Sequence, residues 1–110
     1  NMDMNEYQKL AMQTAIFPER YKYVYPALGL AGEAGEVANK AKKLIRDGAT
    51  EEELVVKLND IASELGDVLW YIAAMADACG TDLESIAKSN LYKLAERQRK
   101  GTLQGSGDNR

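Results

Sequence analysis

Four carboxylates stand in two pairs of identical spacing, Glu33 with Glu36 and Glu64 with Asp67. On a helical wheel at about 100° per residue, each pair flanks an apolar stripe. Leu30, Val37, Ala41, Leu44 and Ile45 make the first stripe; Leu54, Leu58, Ile61, Leu65, Val68, Leu69 and Ile72 make the second. In both, the second acid falls about 60° from the first, in the same sense and just beside the stripe. Packing the two stripes antiparallel across a short turn would gather all four acids into one neighbourhood. Like charges in a partly desolvated seam repel, so such a cluster calls for cations. Ligands that offer only oxygen select hard ions: Mg²⁺, Mn²⁺ or Ca²⁺. One such pair alone is ordinarily a solvated surface feature; the matched phase of two points to a site.

The rest of the composition narrows the chemistry. There is no histidine, which removes every imidazole mechanism and the Glu-x-x-His ligand pairs of redox di-metal bundles. A single cysteine, Cys79, can form neither an internal disulfide nor a thiolate zinc site, and suggests a reducing, cytoplasmic setting. It is expected as buried filler. A net charge of −3 suits neither a nucleic acid polymer nor a membrane surface as partner. No apolar run approaches the about 18 residues that a membrane span needs.

The elements that must position the acids read as four helices. The first is expected over about residues 3–16, followed by a loop holding Tyr21, Tyr23 and Tyr25. The second opens at Pro26, in a first-turn position, and stops before Asp47-Gly48. Thr50-Glu51-Glu52-Glu53 is a capping box that starts a third helix running to about residue 78, closed by Gly80. Thr81 or Asp82 starts a fourth, which reaches about residue 99 before Gly101. Residues 1–101 are thus read as one all-α domain, and 102–110 as a flexible tail. Gly29, Gly32 and Gly35 each cost up to about 1 kcal/mol inside a helix, which close approach of another backbone or a ligand would explain, as would loose helix packing. The far side of the third helix, with Gly66, Trp70, Ala73 and Ala74, is apolar as well. That pattern suggests cover by a second subunit.

Leu30-Ala31-Gly32-Glu33-Ala34-Gly35-Glu36-Val37, followed by Glu64-Leu65-Gly66-Asp67-Val68, resembles the E-x-x-E…E-x-x-D signature of the MazG-like all-α nucleoside triphosphate pyrophosphohydrolases. Asn90-Leu91-Tyr92-Lys93-Leu94 with Arg97 resembles that family's C-terminal N-x-x-K-L-x-x-R segment. The likeness spans all but the first helix and the tail. It implies an oligomeric four-helix bundle, a homodimer or homotetramer. It also implies hydrolysis of a nucleoside triphosphate to the monophosphate and pyrophosphate, with Mg²⁺ or Mn²⁺ held by Glu33, Glu36, Glu64 and Asp67. Many relatives carry a further acid just before the first glutamate, and here that position is Gly32. Activation of water would then fall to Glu33 and Glu36, or to the metal alone.

Further residues admit two readings each. Lys40 is either an i, i+4 partner of Glu36 or a phosphate contact. Asn90, Lys93 and Arg97 form one polar line on the fourth helix, either solvated or set against a triphosphate. Tyr71 either stacks on a base, meets a phosphate through its hydroxyl, or fills the core. Asp60 is either surface or a support for Glu64. The non-enzymatic alternative is an inactive oligomeric helical module whose acids bind a metal or a basic partner.

Overall fold

A computed structural model describes residues 1–101, so the expected tail at 102–110 lies outside the described residues. Four helices make the fold: α1 (Met4–Met12), α2 (Val24–Asp47), α3 (Glu51–Ala78) and α4 (Leu83–Lys100), with a 3-10 turn at Glu19–Tyr21 between the first two. This is the all-α four-helix bundle expected. None of these helices is long and apolar enough to cross a membrane.

Local chemistry sets most helix ends. The Thr50 hydroxyl accepts from the Glu53 N–H and the Glu53 carboxylate accepts from the Thr50 N–H, completing the capping box that opens α3. Gly48, at φ 67°, ends α2 and donates to the Leu44 carbonyl, so α2 turns into α3 within three residues. Gly80 and Gly101 close α3 and α4 in the same left-handed region. Asp82 caps α4 by accepting from the Ser85 N–H at 2.8 Å. Two side chains of α1 satisfy the next orphan donors of α4. The Gln8 side-chain oxygen accepts from the Leu83 N–H at 2.8 Å, and that of Asn5 from the Glu84 N–H at 3.0 Å. Gln8, only 7% exposed, also donates to the Thr81 carbonyl, so its amide is engaged at both ends.

α1 ends at Met12, four residues earlier than its periodicity predicts. The cause is long-range. The Trp70 indole N–H donates to the Ala11 carbonyl at 3.2 Å and to the Thr14 hydroxyl at 2.7 Å, while that hydroxyl donates to the same carbonyl. With that acceptor occupied, residues 13–15 tighten into i to i+3 turns. α2 starts two residues before Pro26, which still sits in its first turn. Cys79 is exposed at the C-cap of α3 rather than buried, because α3 has already ended there.

Packing is uneven. α2 lies along α3, and α1 covers the second half of α3. The small buried core holds Ala11, Ala73, Ala76 and Leu83, with Tyr7, Met12, Trp70 and Ile72 against it. Trp70, Ala73 and Ala74 are therefore covered within the chain, not by the second subunit that their apolar character suggested. The uncovered apolar residues lie elsewhere. Leu54, Leu58 and Leu65 run along the first half of α3, and Leu91 and Tyr92 stand out from α4. Among the helical glycines, Gly29 has a close neighbour, though a side chain rather than the backbone or ligand expected: a Cβ there would overlap the Tyr71 ring. Gly32, Gly35 and Gly66 face open space.

Two predictions test these contacts. Gly29→Ala gains about 1 kcal/mol of helix propensity but meets about 1–3 kcal/mol of overpacking against Tyr71. Urea denaturation should show net destabilisation in the native background and stabilisation in a Tyr71→Ala background. At the α4 cap, the hydrogen bond from Ser85 holds the Asp82 carboxyl below the ordinary carboxylate range. Its share of stability is present at neutral pH and is lost as pH falls through that range. Asp82→Asn should keep the cap and remove that share of the acid sensitivity. Asp82→Ala should lower the melting temperature by about 5 °C at pH 7.

Candidate metal centre

α2 contributes Glu33, and α3 contributes Glu64 and Asp67 one helical turn apart. One carboxylate oxygen from each lies within 4.8 Å of the other two. Glu33 and Glu64 are half-buried, whereas Asp67 is exposed at the mouth. The Glu33 carboxyl is pushed above its usual range, first by a hydrogen bond shared with Glu64. Burial and the charges of Asp67, Glu64 and Glu36 push it further. An oxygen-only trio that raises the affinity of its own member for a proton suits a hard cation. An ion about 2.0–2.6 Å from each oxygen matches such a spread.

Glu36 lies one turn beyond Glu33, exposed and outside this trio, though its charge still reaches Glu33. Lys40 turns away from Glu36 to α3. Its ammonium donates to Asp60 Oδ2 at 2.7 Å and pairs with Glu64 Oε1 at 3.3 Å. Asp60 thus supports the trio through Lys40, a link across helices that no spacing rule within one helix reveals.

A cleft of about 390 Å³ opens beside the trio, lined by Thr14, Glu33, Asp67, Trp70 and Tyr71. Its wall is aromatic. Trp70 meets Tyr71 edge-on at 5.0 Å, Tyr25 lies 6.4 Å from Tyr71, and Phe17 stacks on Tyr25 at 4.8 Å. Burial raises the Tyr71 hydroxyl above its usual pKa, and the charges of Glu33 and Asp67 add to it. Tyr7, from α1, is raised by burial and by Asp67. Thr14 and Trp70 are cleft residues that the motif pattern does not single out. Thr14 lies just past α1, and Trp70 sits on the side of α3 opposite its leucine stripe.

The polar line of α4 is placed differently. Asn90 and Lys93 are exposed and line a second groove of about 550 Å³, formed with Met4, Leu69, Leu83 and Ile86. Arg97, half-buried, lies one turn further along α4. None of the three lines the cleft beside the carboxylates.

The chain is 43% identical over 119 residues to the Gene 37 protein of Mycobacterium phage L5, an alignment spanning 99% of this chain and 100% of that one. It is 36% identical over 72 residues to the uncharacterized protein YvdC of Bacillus subtilis (strain 168), covering 62% of this chain and 68% of that one. No solved structure matches it. Residues 26–102, which hold the carboxylate trio and both helices that carry it, match the MazG nucleotide pyrophosphohydrolase domain, and the chain belongs to that family.

Proposed function

We propose that the chain is a Mg²⁺-dependent nucleoside triphosphate pyrophosphohydrolase. It splits a ribo- or deoxyribonucleoside triphosphate into the monophosphate and pyrophosphate through attack of water on the α-phosphorus, and so clears nucleotides from the pool. The observation that carries this reading is the Glu33–Glu64–Asp67 trio set at the mouth of an aromatic-walled cleft on a MazG-family domain. Mn²⁺ would serve as an alternative ion.

A bound divalent ion supplies charge neutralisation for the phosphates and acidifies water. Glu33, Glu64 and Asp67 would hold it. The flat faces of Tyr71 and Trp70 offer a surface on which a base can stack. The triphosphate would then lie toward the carboxylates, where the cation offsets its charge. Glu33, or Glu36 one turn beyond it, would orient the attacking water and take its proton, since Gly32 offers no carboxyl. Lys40, already beside Glu64, would be the cation nearest a phosphate held at the trio by a bound ion. Asn90, Lys93 and Arg97 would join the substrate from α4 only if a second subunit brings that helix to the cleft.

A homodimer fits the rest of the molecule, with a tetramer as its doubling. The radius of gyration is 16.9 Å, against about 13 Å for a compact chain of this length. Leu54, Leu58 and Leu65 lie uncovered at heptad-like spacing on α3, with Leu58 49% and Leu65 52% exposed. A partner helix on that line would bury all three.

Pyrophosphate release should appear across a panel of canonical and modified triphosphates with Mg²⁺ or Mn²⁺ and vanish with EDTA. Glu64→Gln should lower it by more than the about 10- to 100-fold that losing a supporting group costs at a metal site. Metal binding without pyrophosphate from any substrate would instead favour the inactive binding module. In light scattering, Leu58→Glu should reduce a dimeric mass to that of one chain; an unchanged mass would remove this face from the interface.

A further inference from the structure

The trio of carboxylates already has a positive charge against it. The Lys40 side chain crosses from α2 to α3, three-quarters buried along its length, and brings its ammonium to 3.3 Å from Glu64 Oε1. Its shorter bond, 2.7 Å, goes to Asp60 Oδ2, one turn before Glu64 on α3. Glu64 therefore faces two cationic demands, one from the ammonium beside it and one from any ion held by the trio. A divalent ion and an ammonium sharing one carboxylate repel each other. Asp60 stands outside the trio, 63% exposed, and can keep the ammonium once Glu64 is taken. Neither Lys40 nor Asp60 falls in the paired-acid motifs, and Glu36, the partner expected for Lys40 from helix spacing, does not hold it.

We propose that Lys40 is a built-in counter-cation of the metal-free site, parked on Asp60, and that it yields Glu64 to an incoming divalent ion. The pair thereby sets the metal affinity of the centre. In the free protein the ammonium offsets part of the repulsion among Glu33, Glu64 and Asp67, which lets α2 and α3 stay packed without an ion. When the ion arrives, Lys40 falls back on Asp60 alone. Lys40 lowers affinity for the metal by competing for Glu64. Asp60 raises it, as a positioning residue, by drawing the ammonium away. The inference rests on the metal-binding reading of the trio.

Titration calorimetry of the full chain with Mn²⁺, without nucleotide, separates the two. Lys40→Met should bind Mn²⁺ about five- to tenfold more tightly than the native chain. Asp60→Asn should bind it several-fold more weakly. In the Lys40→Met background, Asp60→Asn should have less than half of that effect on a logarithmic scale, because its partner is gone. Lys40→Arg keeps the charge and should stay within about twofold of native. Should circular dichroism show Lys40→Met unfolded, Lys40→Gln carries the same expectation.

If the native chain binds Mn²⁺ and neither neutral variant binds it more tightly, Lys40 is a structural clasp and the inference is overturned while the metal reading stands. A lowered melting temperature with unchanged Mn²⁺ affinity would be that result. An Asp60→Asn effect of equal size in both backgrounds overturns the positioning role. If native and Lys40-neutral chains alike bind no Mn²⁺, the metal reading itself fails, and this inference with it.

Discussion

Repulsion among three carboxylates in the seam between α2 and α3 is the constraint around which the molecule is arranged. An apolar seam would stabilise that helix pair. Here part of it is given to Glu33, Glu64 and Asp67, whose closeness is registered in the raised Glu33 carboxyl. Such a local conflict with folding marks functional sites. The pair is held instead by the apolar residues it does bury and by the three-residue turn through Gly48 and the Thr50 capping box. That turn keeps the two helices antiparallel and in register. The Lys40 bridge to Asp60 and Glu64 adds a charge of opposite sign directly on the trio.

α1 does a different job, from outside the residues that match the family. Its Ala11 carbonyl and the nearby Thr14 hydroxyl anchor the Trp70 indole, which fixes one wall of the cleft. Three residues away, Gln8 reaches the start of α4 and satisfies Leu83, the one large side chain of the buried core. One short helix thus ties the aromatic wall to the start of α4. Gly29 completes the wall from the other side, since the absent side chain makes room for the Tyr71 ring.

Features governed by neighbours in sequence were legible, and those governed by neighbours in space were not. The ends of α3 and α4 follow from caps a few residues long, so Thr50, Glu53, Gly80 and Asp82 announced them. The wheel also placed Glu33, Glu64 and Asp67 on the flanks of their helices that meet, because 3.6-residue periodicity decides which side of a helix they occupy. The α3 stripe, however, does not pack on the α2 stripe as expected: its Leu54, Leu58 and Leu65 are uncovered. The wheel could not give the tilt that leaves Glu36 outside the trio while Lys40 reaches α3. Nor could it foresee the end of α1, which depends on a hydrogen bond from a tryptophan 59 residues further along. The apolar second half of α3 was a true signal with the wrong partner inferred. Its cover comes from α1, and the uncovered apolar surface of α3 lies instead on Leu54, Leu58 and Leu65.

That shift bears on the centre itself. Leu65 follows Glu64 directly, and Leu58 lies within about 20° of Leu65 on the α3 wheel, so the uncovered line runs about 100° from the metal-facing side. α3 is therefore held from the Glu64 side by α2, through a seam weakened by its charges, and is bare along the leucines. A partner packed on that bare line would press α3 against α2 and restrain the spacing of Glu64 from Glu33, which sits on the other helix. In the single chain Lys40 already offsets part of the repulsion across that seam, and a partner on the leucines would add restraint from the other side. Any association that buried Leu58 and Leu65 would therefore also bear on the affinity of the trio for a cation, because both act on the position of α3 against α2.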